Sequence, residues 1–291
     1  MGMYDIPLHY YAIGYFFILF GRYFVMSLTV WTLFWIKGKE RFAHRRIQAL
    51  EPPTAIIRGE FWWSVSSMVI FTVISTAILW MIRLAFFDSK VYLDPREHTI
   101  GYMVFTLVLA ILWHDMYFYW THRWMHHPRL FKLFHAVHHR SINPTPWAAF
   151  SFHPTEAVIE ALVYVIFPFI IPVHPFVLVA ALTIMNVMNV LGHSGYEFFP
   201  SGWLKRPLGK WLNTSVHHNM HHRRSNCNYG LYFNWWDRWC HTNASDYEAK
   251  FEEVAARQKP LSLEIRAAHP GESTGQHTSL AAVPKQSRPR Q

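Results

Sequence analysis

The chain has 291 residues, 52% of them hydrophobic and 18% aromatic, with only 15% charged. Soluble domains carry about 25% charged residues, so this composition excludes an ordinary soluble globule and makes lipid part of the solvent. The net charge of +9 clusters beside apolar runs, which fits an anionic membrane surface and excludes a basic nucleic-acid-binding face.

The opening "MGMYDIPLHY" has no basic n-region, so no cleavable signal peptide is expected. From Tyr10 to Ile36 the chain is nearly all apolar and meets the roughly 20 residues a bilayer span needs. Arg22 near its middle must face the bundle or a polar partner. A second span is predicted from Phe61 to Phe87 and a third from Ile100 to Trp120. The run "AVIEALVYVIFPFIIPVHPFVLVAALTIMNVMNVLG" reads as two apolar helices with a break at Pro172 to Pro175, a hairpin or two tilted helices. Lys37, Lys39, Arg41, Arg45, Arg46 and Arg58 lie between the first two spans and put that loop in the cytoplasm. Two crossings later the histidine region lies on the same side. Residues 259–291 are rich in Pro, Ser, Gln and charge and are expected to be disordered. The fold class is therefore an all-α integral membrane bundle of about four spans with a cytoplasmic histidine-bearing cap. It forms one domain over 1–258, with a core at about 100–242.

Three histidine boxes share one spacing. His122 and His126 lie four apart, and His135, His138 and His139 lie at i, i+3 and i+4. His218, His221 and His222 repeat that pattern. On a helix these positions share a face, so each box is expected to aim its imidazoles at one place. His193 and Glu197 are four apart in "GHSGYE", and His153 in "FHPTE" can be a ligand, an orienting group or loop structure. His127 and His217 duplicate neighbours, and His126 and His218 are preferred over them. His9, His44, His98 and His174 read as hydrogen-bonded core histidines, His114 as structural, and His241, His269 and His277 as exposed. So many imidazoles exceed one tetrahedral zinc and suit two metals. Imidazole accepts Zn, Cu, Fe or Ni, and a redox-active iron pair beside lipid makes better use of two nitrogen-rich sites than zinc does. Asp115, Tyr119, His122 and His126 fall on one helical stripe, so Asp115 can accept the free N–H of a ligand or meet an arginine. Glu197 can bind metal, accept from a ligand, or pair with Arg123. Cys227 and Cys240 are too few for a disulfide framework and read as free thiols.

These boxes, "HRWMH", "HAVHH" and "HHNMHH", resemble those of the fatty acid hydroxylase / sterol desaturase superfamily. The text from Arg46 to Trp239 is similar to its sterol C-5 desaturase branch, while "GHSGYEFF" looks more like the C-4 methyl oxidase form. The resemblance implies a four-span helical enzyme with a non-haem di-iron centre, Zn being possible in a misloaded form. It also implies dioxygen as co-substrate and an external donor, a ferredoxin or a cytochrome b5-like protein with its reductase. It implies as metal ligands His122, His126, His135, His138, His139, His193, His218, His221 and His222. Asp115, His153, Glu197, His127 and His217 remain candidates for orienting them. The expected reaction is hydroxylation or desaturation of an unactivated C–H site in a lipid. The bacterial inner membrane is expected over the endoplasmic reticulum, because "SRPRQ" is no retention signal. A di-zinc membrane hydrolase and a non-catalytic metal-binding membrane protein are the competing classes.

Overall fold

The computed structural model describes residues 6–257, and helices dominate them. The predicted tail at 259–291, with His269 and His277, lies outside the described residues. The long helices are α1 (Leu8–Val30), α2 (Thr54–Arg83) and α3 (Ile100–Met125). A short α4 (Phe131–Phe134) precedes α5 (Pro154–Ile170) and α6 (Pro175–Gly192). The cap adds α7 (Ser215–Arg224), α8 (Trp235–Trp239) and α9 (Tyr247–Ala255). Four helices are long and apolar enough to cross a membrane: Leu8–Lys37, Thr54–Arg83, Ile100–Met125 and Pro175–Gly192. The first of them includes a π-helical stretch at Trp31–Lys37 that continues α1. Phe17, Val25, Val69, Val73, Val104, Val108 and Val179 point outward on these helices, as a lipid-facing belt requires.

The ends of the predicted spans shift for local reasons. Helix α2 starts at Thr54 and not Phe61, because Pro53 supplies its N-cap and Glu60 is buried against Thr145. It stops at Arg83 and not Phe87, because Ala85 turns the chain at φ 57°. Helix α3 is capped by Thr99, whose hydroxyl accepts from Tyr102 N at 3.2 Å, and runs on to Met125. The break after α5 comes where expected, and α6 restarts at Pro175 with His174 as its cap; Nδ1 accepts from Phe176 N at 3.1 Å. His9, read as a core residue, is exposed on α1 beside Tyr10, since it sits on the outward stripe of that helix.

The two arms that follow α3 do not pair as a closed hairpin. Helix α5 packs chiefly on α2 and α3, and α6 chiefly on α3 and α1. The arms thus embrace α3, and space remains among the helices. The C-terminal ends of α1, α3 and α6 and the N-terminal ends of α2 and α5 gather on one side. Trp35 beyond α1 donates to Ser194 O at 2.8 Å, just past α6. Tyr23 on α1 and Ser64 on α2 both donate to Trp147 O, each at 2.9 Å. Ser27 donates to Pro146 O at 3.0 Å. This stitches the segment 146–150 against both helices. The cap has its own core, in which Ile47, Val216, Met220, Tyr247 and Phe251 are buried together.

Tyr23→Phe keeps the ring and removes one donor to Trp147 O. It is expected to cost about 1 kcal/mol, a fall of about 2–4 °C in thermal midpoint for a chain of this size. Unfolding followed in detergent checks this; an unchanged midpoint would mean that the Tyr23 hydroxyl does not stitch α1 to the 146–150 segment.

Candidate metal centre

Nine histidines converge at the gathered helix ends. His122, His126, His135, His139 and His221 form one group, and His138, His193, His218 and His222 form another. Within each group the offered ring nitrogens lie within 4.8 Å of one another. His122 rides the last turn of α3, with His126 just beyond it. His135 follows α4, and His138 and His139 open a 3-10 turn. His193 caps the end of α6, and α7 carries His218, His221 and His222.

The expectation that each box aims at one place is corrected. His135 and His139 join the first group while their neighbour His138 joins the second. His221 joins the first group while His218 and His222 join the second. The reason is angular. On α7 His218 and His222, four apart, share a face while His221 is turned from His222 by about 100°, and in the 3-10 turn His138 and His139 diverge by about 120°. The pairs His138–His139 and His221–His222 therefore each serve both groups.

The ring nitrogens have assigned roles. His122 Nδ1 lies 2.8 Å from Tyr229 O, and His193 Nδ1 lies 2.7 Å from Asn189 O. His221 Nδ1 is 2.7 Å from Cys227 O, and His222 Nδ1 is 2.9 Å from Ser141 O. A carbonyl only accepts, so each Nδ1 carries the proton and each Nε2 presents a lone pair. His135 Nδ1 meets Glu156 Oε1 at 2.6 Å in the same sense. Yet the Nε2 atoms face each other. They are 2.9 Å apart for His122 and His135, 2.9 Å for His139 and His221, and 3.1 Å for His222 and His193. Two lone pairs at that distance repel unless a cation lies between them. Imidazole nitrogens at about 2.0–2.1 Å from one ion sit about 2.9–3.4 Å apart. The observed spacings fall in that range, and His126 adds a buried Nε2 with no hydrogen-bond partner among the described residues. These clusters can hold metal ions.

Burial keeps the rings neutral. It pulls His139 down to about 3 and His193 to about 4, with neighbouring imidazoles adding to the shift. Burial also holds His135, His138, His218, His221 and His222 well below the usual imidazole value. Neutral imidazole is the form that binds metal.

The five residues expected to orient the rings do other work, and none of them hydrogen-bonds a ring of either group among the described residues. Asp115 accepts from Tyr232 N and Phe233 N, each at 3.2 Å, and from Trp235 Nε1 at 2.7 Å. Three donors from one loop satisfy it, so it neither reaches His122 nor meets an arginine. Glu197 accepts from Phe199 N at 2.9 Å and Val216 N at 3.0 Å, tying the start of α7. His153 caps α5, its Nδ1 2.7 Å from the Thr155 hydroxyl. His127 is exposed beyond the end of α3. His217 is buried on the other face of α7, against Tyr247 and 3.6 Å from Asp237. Sequence reasoning missed Glu156, although it is one of two carboxylates in the apolar helix α5. The carbonyls of Ser141, Asn189, Cys227 and Tyr229 leave no side-chain signal at all. Cys227 and Cys240 are free thiols, as expected.

A cavity of about 350 Å³ opens among α1, α2, α3, α5 and α6, and Phe118, Phe152 and Asn189 are part of its wall. Phe118 packs on His122 and Phe152 on His138, with ring centres 4.9 and 5.3 Å apart. Asn189 is the residue that holds His193. The histidines thus stand behind one wall of an apolar chamber. Arg22 lines it too, so the charge inside the first span faces the bundle as expected.

No solved structure matches the chain. Human lathosterol oxidase is 32% identical over 200 residues, covering 67% of this chain and 64% of that protein. The lathosterol oxidase of Rattus norvegicus is 34% identical over 183 residues, covering 60% of this chain and 59% of the relative. A Delta(7)-sterol 5(6)-desaturase of Gibberella zeae is 32% identical over 151 residues, covering 52% and 45%. The chain therefore spans about half to two thirds of the length of these curated relatives. Residues 107–242 match the family described as Fatty acid hydroxylase, and that segment holds all nine clustered histidines. Residues 107–242 are thus a segment of the fatty acid hydroxylase family, and the chain is homologous to sterol C5 desaturases.

Proposed function

We propose that this chain is a dioxygen-dependent membrane oxidoreductase that desaturates or hydroxylates a sterol-like lipid. One iron ion is held by His122, His126, His135, His139 and His221, and a second by His138, His193, His218 and His222. The observation that carries this reading is the set of inward Nε2 lone pairs, fixed for His122, His193, His221 and His222 by an Nδ1 proton on a backbone carbonyl and for His135 by one on Glu156. A bound iron pair supplies the redox and dioxygen chemistry needed to attack an unactivated C–H bond. The chain's own residues do the rest. Carbonyls and Glu156 hold ring orientation, which sets ligand basicity. The apolar chamber keeps water away and brings a greasy substrate to Phe118 and Phe152. Positioning of a reacting carbon can contribute about 7–11 kcal/mol when geometry is near ideal.

The printed names of the relatives support a Delta(7)-sterol as the first substrate to try. The basic segment from Lys37 to Arg58 adjoins the histidine end of the bundle, which favours the cytoplasmic side for it. That charge suits an acidic electron carrier, a ferredoxin or a cytochrome b5-like protein.

Purified protein loaded with ferrous iron, given a reduced carrier, air and a Delta(7)-sterol, is expected to yield a product lighter by two hydrogens or heavier by one oxygen. Mass spectrometry of the lipid extract reads this. Turnover without oxygen or reductant would sink the proposal in favour of a hydrolase, and no change in any lipid would favour a non-catalytic metal binder.

Glu156→Ala is expected to weaken metal binding at the first site by about 10–100-fold and leave the second intact. Cobalt titration followed by its visible absorption separates the two sites, and equal loss at both would refute the assignment of Glu156 to His135.

Metal-free protein should also lose stability in acid. The unfolded chain binds protons near 6.5, whereas burial pulls folded His193 down to about 4 and His139 to about 3. Below 6.5 the unfolded state therefore holds more protons, and stability falls as pH drops through that window. Thermal scans of chelated protein between pH 7 and pH 4 check this; a flat midpoint would contradict neutral, buried rings.

A further inference from the structure

Most of the chamber wall is apolar, with Met68, Phe71, Val163 and Met185 typical of it. Five of its polar residues, Tyr164 among them, carry a buried polar atom with no hydrogen-bond partner among the described residues, and the metal chemistry uses none of them. Glu160 on α5 has a buried Oε1 with no hydrogen-bond partner among the described residues. His114 Nδ1 on α3, Asn186 Oδ1 on α6 and Arg22 Nε on α1 are equally unpartnered. His114 and Asn186 are 3% and 5% exposed, so bulk water does not satisfy them. Asn186 Nδ2 already donates to Arg22 O at 3.2 Å, which leaves its Oδ1 as the free end. An unpaired polar group in an apolar setting costs about 1–3 kcal/mol, and five from four helices lining one cavity require a common explanation.

We propose that Arg22, His114, Glu160 and Asn186 form a subsite for a hydroxyl group on an otherwise apolar lipid. The inference rests on the chamber being the substrate site of the proposed oxidoreductase. The donor and acceptor inventory selects the group. Asn186 Oδ1 and an ionised Glu160 Oε1 accept, His114 Nδ1 and the Tyr164 hydroxyl take either role, and only Arg22 Nε must donate. A ligand that only accepts, such as a carboxylate, meets two oxygens and one donor. A hydroxyl donates to one oxygen and accepts from Arg22 at once. Position follows from helix rise. Glu160 is four residues past Glu156, Asn186 seven before His193 and His114 eight before His122. At 1.5 Å per residue the subsite lies about 6–12 Å along the helices from the histidines. The lipid is thus held by its hydroxyl at one level while a carbon at another level meets the metal wall.

Binding tests this without turnover. Full-length protein in nanodiscs is titrated with tritiated cholestanol and with tritiated cholestane, which differ only in the hydroxyl. Wild type is expected to bind cholestanol about tenfold tighter or more, as sites built around a hydroxyl reject the analogue lacking it. Glu160→Leu and Asn186→Leu should each lower cholestanol affinity by about tenfold and leave cholestane unchanged. Cobalt stoichiometry serves as the folding control for both variants. Equal affinity of wild type for the two probes overturns the subsite while leaving the chamber and the oxidoreductase reading in place. A preference that survives both substitutions overturns it as well. Binding of neither probe overturns the subsite together with the sterol-like substrate reading on which it rests.

Discussion

Lone pairs brought face to face in a dry pocket are the constraint on which this structure turns. Nε2 atoms lie 2.9–3.2 Å apart, and where Nδ1 carries the proton their lone pairs repel in the absence of a cation. The fold must hold them there before any ion contributes. For His122, His193, His221 and His222 it does so with backbone carbonyls, whose positions are set by the chain path and not by rotamers. Asn189 O lies in the last turn of α6 and receives both the backbone N–H and the ring N–H of His193. Cys227 O and Tyr229 O come from the loop after α7, and that loop is tied by Asp237, which accepts from Tyr229 N and Gly230 N at 2.8 Å each. Ring orientation is thus a property of helix ends and one pinned loop.

The same demand explains the architecture around it. A bilayer admits helices because their backbone groups are satisfied internally, and it leaves only helix ends free to carry irregular loops. The metal-binding groups therefore sit at one end of the bundle, where α3 and α6 finish and α5 begins. Asp115 and Glu60 are buried carboxylates near that end, and each is consumed by donors from a loop of the cap. They anchor cap to bundle. The hydroxyls of Tyr23, Ser27 and Ser64 do the same for the 146–150 segment.

Much of this was legible in the chain because it is local. Apolar runs mark the spans, and a proline pair or a left-handed residue adjusts where they end. Histidine spacing marks the boxes, since three- and four-residue intervals are a property of one helix. What failed depends on distant packing. Asp115 shares a stripe with His122, yet its partners lie more than a hundred residues away at Tyr232, Phe233 and Trp235. Glu156 orients His135 across a separation of 21 residues and a change of element. The division of His138–His139 and His221–His222 between two groups needs the tertiary placement of both boxes at once. The embrace of α3 by α5 and α6 was hidden for the same reason, because hydropathy reports that a segment is greasy and not which neighbour it meets.

The chamber raises a question of register that apolar burial alone does not answer. Hydrophobic attraction is non-directional and scales with area, so a smooth greasy cavity holds a smooth greasy molecule at many heights with similar free energy. Oxidation of one C–H bond among many equivalent ones needs a single height, because an offset of about 1 Å can cost about a hundredfold in rate. Only directional contacts set height. In this wall they are few, they come from four different helices, and they sit at a level distinct from the histidines. A chamber of this kind separates the two tasks: aliphatic and aromatic side chains supply affinity, and a small set of unpaired polar atoms supplies position. A ligand able to pair those atoms gains over one that buries them unpaired, which makes them part of the discrimination.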